Sequence, residues 1–96
     1  MSEKTQEGLD NLIVEGLNSE KGELDLRERE LDDDDIKLIV GSDKIIGVTA
    51  LFLEYNEIGD EGLQAILDSE KFKHLTALNM FKNQVSDDGV KEMAKS

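Results

Sequence analysis

The chain has no cysteine and a single histidine in its 96 residues. Without cysteine neither a disulfide framework nor a thiolate zinc site can form, and a cysteine nucleophile is excluded. His74 stands alone, so a histidine-paired nucleophile or a multi-histidine metal site lacks its raw material. Positive charge is also scarce: 11 Lys and Arg face 23 Asp and Glu, a formal net charge of −12. That balance repels phosphate backbones and anionic lipid, so the expected partner is a neutral or basic protein, with no nucleic acid and no membrane. No apolar run approaches the roughly 20 residues that span a bilayer, and Met1 to Glu7 lack the apolar stretch of a signal peptide. A cytoplasmic protein is the expectation, export by a signal-independent route being left open.

Apolar residues are sufficient. Leu, Ile, Val and Phe make up 28 of the 96 positions, above the roughly 20% at which high net charge goes with disorder. A chain of this length should fold as one domain, 1–96, and hide roughly 65% of its unfolded surface.

The chain matches itself when shifted by 27 residues. Leu51, Phe52 and Leu53 fall on Leu78, Asn79 and Met80, and back on Leu24, Asp25 and Leu26. Asn56 meets Asn83, Ile58 meets Val85 and Leu31, Asp60 meets Asp87 and Asp33, and Gly62 meets Gly89. Leu63, Ile66 and Leu67 meet Val90, Met93 and Ala94 on one side and Ile36, Ile39 and Val40 on the other, and one shift further they meet Leu9, Leu12 and Ile13. Residues 48–69 and 75–96 share seven identities in 22 positions. Each unit changes period midway. Its first part alternates, as a short strand with one buried face does; its second part spaces apolar residues at i, i+3 and i+4, the stripe of a helix, behind acidic residues that suit a helix N-terminus. Strands this short cannot stand alone, so the units must stack, strand beside strand.

The string Val48-Thr49-Ala50-Leu51-Phe52-Leu53-Glu54-Tyr55-Asn56-Glu57-Ile58 resembles the leucine-rich repeat pattern LxxLxLxxNxI, and Leu75 to Val85 repeats it. Gly59-Asp60-Glu61-Gly62 and the helix after it are similar to the ribonuclease-inhibitor-like class. The resemblance covers residues 24–96, with a helix at 7–15 as a partial N-terminal unit. It implies an α/β fold: a short leucine-rich repeat solenoid with a parallel sheet on the concave side and helices on the convex side. The units are 5–22 (partial, helical), 23–47, 48–74 and 75–96, the last truncated. Asn56 and Asn83 match the family's asparagine, whose amide bonds backbone groups of neighbouring turns; Arg29 stands in that place in the first unit and has no acceptor, so the ladder should stop before it and residues 27–35 should be less regular.

Asp32-Asp33-Asp34-Asp35 invites a calcium or magnesium site, but the repeat offers a structural account. Asp33 aligns with Asp60 and Asp87 at a helix start, where one acidic cap is expected and its neighbours sit in solvent. An EF-hand loop fails for want of an oxygen ligand at Ile36 and glycine at Lys37. The expectation is no metal, no cofactor and no catalytic residues. Gly59 to Gly62 lack the Lys and Ser/Thr of a phosphate loop, and His74 reads as a solvated loop residue.

Of the four aromatics, Phe52, Tyr55 and Phe81 lie at variable strand-segment positions and Phe72 in the return loop where the period puts Ile45. If Leu51 and Leu53 face the core, then Phe52 and Glu54 face away, as do Asn79 and Phe81 in the next unit and Asp25 and Arg27 in the previous one, with Tyr55, Glu28 and Lys82 at the rim. This face is the expected partner-binding surface, its aromatics as anchors and Asp25, Glu28 and Glu54 as steering charges. The leading expectation is a protein-binding module. Two others stand beside it: an acidic inhibitor or regulator of a basic enzyme, as the ribonuclease-inhibitor resemblance implies, and a structural repeat fragment with no activity of its own. Self-association through the open C-terminal edge, the strand at 78–81, is a further expectation.

Overall fold

The computed structural model describes residues 5–86. Asp87, Gly89, Val90, Met93, Ala94 and Ser96, and with them the end of the last unit, lie outside the described residues. Helix α1 (Gln6–Gly16) starts at Thr5, whose side chain accepts from the N–H of Gly8 at 3.1 Å, and buries Leu9 and Ile13. Its last residue meets the sheet closely: a Cβ on Gly16 would sit 2.2 Å from the carbonyl oxygen of Asp25, so only glycine fits.

The chain then makes β1 (Leu17–Asn18), β2 (Glu23–Asp25), α2 (Asp33–Val40), β3 (Ala50–Phe52), α3 (Asp60–Asp68) and β4 (Ala77–Asn79), with single 3₁₀ turns at Asp43–Ile45 and Glu70–Phe72. The four strands form one sheet in the order β1-β2-β3-β4. The pairs β2/β3 and β3/β4 are parallel, and Leu24, Leu51 and Leu78 lie side by side, as do Asp25, Phe52 and Asn79. The 27-residue shift is the sheet register itself.

The sheet is not all parallel. β1 pairs antiparallel with β2 through a turn in which Lys21 N–H reaches the Asn18 carbonyl at 3.2 Å, with Gly22 at φ 68. Residues 17–18 therefore leave the partial helical unit expected for 5–22. Two residues are too few for alternation to register, and their place is to cover the free edge of β2.

Hydrogen bonding between units continues past the strands. Leu26 N–H donates to Phe52 O (2.9 Å), Glu28 to Glu54 (3.0 Å), Leu53 to Asn79 (2.9 Å) and Tyr55 to Phe81 (3.0 Å). At the far side of each loop the direction reverses, with Glu57 N–H donating to Leu31 O and Gln84 to Ile58 O, both at 2.8 Å. Glu28, Tyr55 and Lys82 all adopt positive φ, at 55, 61 and 60 degrees. The first loop thus makes the same bend as the others although Arg29 replaces the asparagine, which corrects the irregularity expected for 27–35; Glu30, at φ 56, is the local departure.

The core is one cluster running across the units: Leu24, Leu26 and Leu31, then Leu51, Leu53 and Ile58, with Ile36, Ile39 and Ile66 from the helices and Leu9 and Ile13 from α1. Ile45 and Phe72, one period apart, are both buried in the return turns. Leu75, Leu78 and Met80 are partly buried against this cluster. α2 packs on α1 and on α3.

Candidate functional site

Side chains that recur every 27 residues tie each unit to the next. Asn56, 6% exposed, donates from Nδ2 to the carbonyls of Leu26 and Leu53, both at 2.9 Å, and accepts at Oδ1 from the N–H groups of Arg29 and Leu31, both at 3.0 Å. Asn83 does the same one unit on, reaching Leu53 O at 2.8 Å and accepting from Ile58 N–H at 3.0 Å. Arg29 contributes only its backbone N–H to this ladder, donating it to Asn56 Oδ1.

The aspartates act differently from the expectation. The N-cap of α2 is Asp32, which forms a capping box with Asp35: Asp35 N–H donates to Asp32 at 3.0 Å and Asp32 N–H to Asp35 at 2.9 Å. Asp35 is 5% exposed, so it is not a solvated neighbour. Asp33 does not cap its own helix. Its Oδ1 accepts from Gly59 N–H at 2.6 Å and Gly62 N–H at 3.0 Å, so it caps α3 from the previous unit, where Gly59 has no side chain to do so. Asp60 repeats this by accepting from the N–H of Ser86 at 2.8 Å and from its hydroxyl, bonds that hold its carboxyl below the ordinary 3.8. Gly62 allows the approach, since a Cβ there would lie 2.5 Å from Asp33 Oδ1 and 2.7 Å from Ile58 Cγ2. Among the described residues no group of three or more acidic or histidine side chains is placed to hold a metal ion. His74 lies exposed in the turn before Leu75.

Of the residues read as partner-binding, Asp25, Arg27, Phe52, Glu54 and Asn79 line one groove, Tyr55, Phe81 and Lys82 meet at the loop ends, and Glu28 lies beside Asp25 and Arg27 in an adjoining hollow. Alternation along β2, β3 and β4 buries Leu24, Leu51 and, in part, Leu78 while Asp25, Phe52 and Asn79 emerge on the other side. At the loop ends Tyr55 and Phe81 are 54% and 58% exposed, and they touch edge to face with ring centroids 5.9 Å apart. Lys82 Nζ sits 5.4 Å above the Phe81 ring. Asp25 does not stand as a free charge. Arg27 grips it with two bonds, Nε to Oδ1 at 2.9 Å and Nη2 to Oδ2 at 2.8 Å, which lowers the Asp25 carboxyl and raises the guanidinium. Asp25 Oδ1 and Asn79 Oδ1 also accept from the N–H two residues on, in Arg27 and Phe81.

Phe52 is half-buried, and with Glu23, Asp25, Arg27, Glu54 and Asn79 it lines a groove of about 450 Å³, to which Gly16 at the end of α1 and Asn18 of β1 also contribute. Glu23 belongs to this face by the same alternation that selects Asp25 and Arg27, so its signal was present in the sequence; Gly16 and Asn18 depend on β1 and had none.

A mostly parallel sheet in which β2 and β3 are each followed by a loop bonded to the next unit and then by a helix defines a protein of stacked strand-and-helix repeats. Residues 48–67 and 73–94 each match the family model described as Leucine Rich repeat, so these two stretches are leucine-rich repeats. Such repeats imply a solenoid-like α/β fold. No curated protein and no solved structure matches the chain significantly.

Proposed function

We propose that the chain binds a protein partner through the outward face of its sheet, as the concave side of a ribonuclease-inhibitor-like arrangement whose helices form the convex side. Leucine-rich repeat motifs generally mediate protein–protein interaction and typically do so without catalysis. The observation that carries the reading is the Tyr55–Phe81 pair. Two of four aromatics stand more than half exposed, in contact, above a face that also carries Phe52, Glu54 and the Asp25–Arg27 pair.

The magnitude is sufficient. An aromatic side chain offers about 150–250 Å², so roughly 100 Å² of each ring is still available, worth about 2.5 kcal/mol at 25 cal/mol per Å² before ordering costs. That is the hot-spot scale of about 2 kcal/mol. A net charge of −12 favours a basic partner by steering and orientation. The test measures binding to a panel of small basic and neutral proteins across ionic strength, with Tyr55→Ala and Phe81→Ala alongside. Loss of affinity in both variants supports this face; binding that ignores them rejects it.

The same charge supports the regulator of a basic enzyme as the second reading, and inhibition of a bound enzyme in that panel would select it. Self-association is the reading favoured by β4, which among the described residues pairs only with β3. Sedimentation equilibrium at rising concentration separates it: a strict monomer removes it.

A further inference from the structure

We infer that the groove between the β1 hairpin and β3 receives a basic side chain, arginine or lysine, from an extended segment of the partner; this rests on the sheet face being the binding surface. Glu54 provides the main observation. Its Oε1 is buried and, among the described residues, is the one buried side-chain nitrogen or oxygen without a hydrogen-bond partner. A carboxylate oxygen withdrawn from water and left without a donor is a standing cost to the free protein, which is relieved when the half-buried Glu54 side chain turns to meet a donor entering the groove it lines.

The rest of the wall identifies the donor as cationic. Glu23, Asp25 and Glu54 contribute three carboxylates against one guanidinium, that of Arg27. Arg27 is already committed to Asp25 through two short bonds, so it does not neutralise Glu54 through a hydrogen bond. A neutral donor would satisfy Oε1 but leave the excess negative charge of the groove unmatched; a guanidinium or ammonium does both. Phe52, half-buried on the same wall, supplies an apolar surface along which the methylene stem of Arg or Lys can lie. Asn79 closes the opposite side, its Oδ1 held by Phe81 N–H. The backbone of Glu54 is held separately, its carbonyl accepting from Glu28 N–H at 3.0 Å.

The experiment uses the full chain and pools of short soluble peptides, degenerate at their flanking positions and with arginine, lysine, citrulline or norleucine fixed at the centre. Affinity and amide chemical shifts are recorded for the unaltered protein, Glu54→Gln and Ile46→Ala. The expected result is that the arginine or lysine pool binds at least tenfold more tightly than citrulline and norleucine, with shifts at residues 23–27, 52–54 and 79. Glu54→Gln should erase that preference while unfolding at an equal or higher temperature, since among the described residues Oε1 of the carboxylate it removes accepts no hydrogen bond. Ile46→Ala, exposed in the loop before β3 and outside the groove, should keep the preference. Equal affinity for the arginine and citrulline pools, a preference that survives Glu54→Gln, a large loss of stability in that variant, or no binding by any pool would each overturn the assignment. None of these outcomes touches the wider reading of the sheet face, which is tested separately by the binding of a whole protein partner to Tyr55→Ala and Phe81→Ala.

Discussion

Asp33→Ala tests how the repeats are joined. The carboxylate lies on α2 but accepts two N–H groups of the next unit, Gly59 at 2.6 Å and Gly62 at 3.0 Å, in a half-buried position. Loss of an N-cap side chain costs about 1 kcal/mol and up to about 2. Hydrogen bonds to a charged acceptor contribute about 1.5–3 kcal/mol each, and water will recover part of that at a half-exposed turn. A loss of about 2 kcal/mol follows, equivalent to about 8–16 °C in melting temperature for a domain of this size. Asp34→Ala is the control. Asp34 is exposed in the same first turn and shares the favourable interaction with the dipole of α2, so its removal should cost no more than about 0.5–1 kcal/mol. Asp33→Asn keeps an acceptor and should fall between the two. Urea unfolding at neutral pH, read as a shift in midpoint at constant slope, decides the matter. If Asp33→Ala and Asp34→Ala lose the same stability, Asp33 caps only its own helix and the inter-unit account is wrong.

Asn56→Ala leaves the Arg29 and Leu31 N–H groups and the Leu26 and Leu53 carbonyls short of a partner in a buried site, and should cost about 3–5 kcal/mol; Asn83→Ala, in a more open position, should cost less, and the reverse order in urea melts would contradict the ladder. Gly62→Ala pushes a methyl to within 2.5 Å of Asp33 Oδ1 and should cost about 1–3 kcal/mol, partly relieved in the Asp33→Ala background; a fully additive double mutant would show that the two do not meet. Asp25 and Asp60 have carboxyls held below the ordinary 3.8 by Arg27 and Ser86, so their stabilisation is complete above that pH and fades as pH falls through 3.8 toward their folded values, where the unfolded chain takes up the protons first. Unfolding midpoints at pH 5 and pH 3 should therefore fall less in Asp25→Asn with Asp60→Asn than in the parent, and an unchanged drop would refute the linkage.

Much of the fold was legible because the repeat period and the sheet register are the same quantity. Leu24, Leu51 and Leu78 align in sequence at 27-residue spacing and sit adjacent in the sheet. The outward set followed from alternation alone, which is why Phe52, Glu54 and Asn79 come together in one groove. Periodicity was silent on which unit a side chain serves. Asp33 recurs as Asp60, yet nothing in the spacing says that its carboxylate reaches 26 and 29 residues ahead instead of closing its own turn. The sequence does not mark Asp35 as the partner of Asp32, because its role in the box depends on a short side chain where Glu or Gln is usual. β1 left no mark, since two residues cannot alternate. Arg29 suggested an irregular first loop, but the bend is made by backbone at Glu28 and held by Asn56 from the following unit, so the residue at 29 is free to vary.

The central claim is that the sheet face, and no other exposed apolar surface, engages the partner. Phe81 and Ile46 allow the most direct comparison: they are 58% and 66% exposed, one beside Tyr55 on the strand face, the other in the loop leading into β3. Dissociation constants would be measured by calorimetry for a partner found in the protein panel, against the parent chain, Phe81→Ala and Ile46→Ala, each checked for an unchanged melting temperature. The account predicts about thirtyfold weaker binding for Phe81→Ala, the equivalent of about 2 kcal/mol, and less than a twofold change for Ile46→Ala. Equal affinities for Phe81→Ala and the parent, or a loss in Ile46→Ala as large as that in Phe81→Ala, would contradict it.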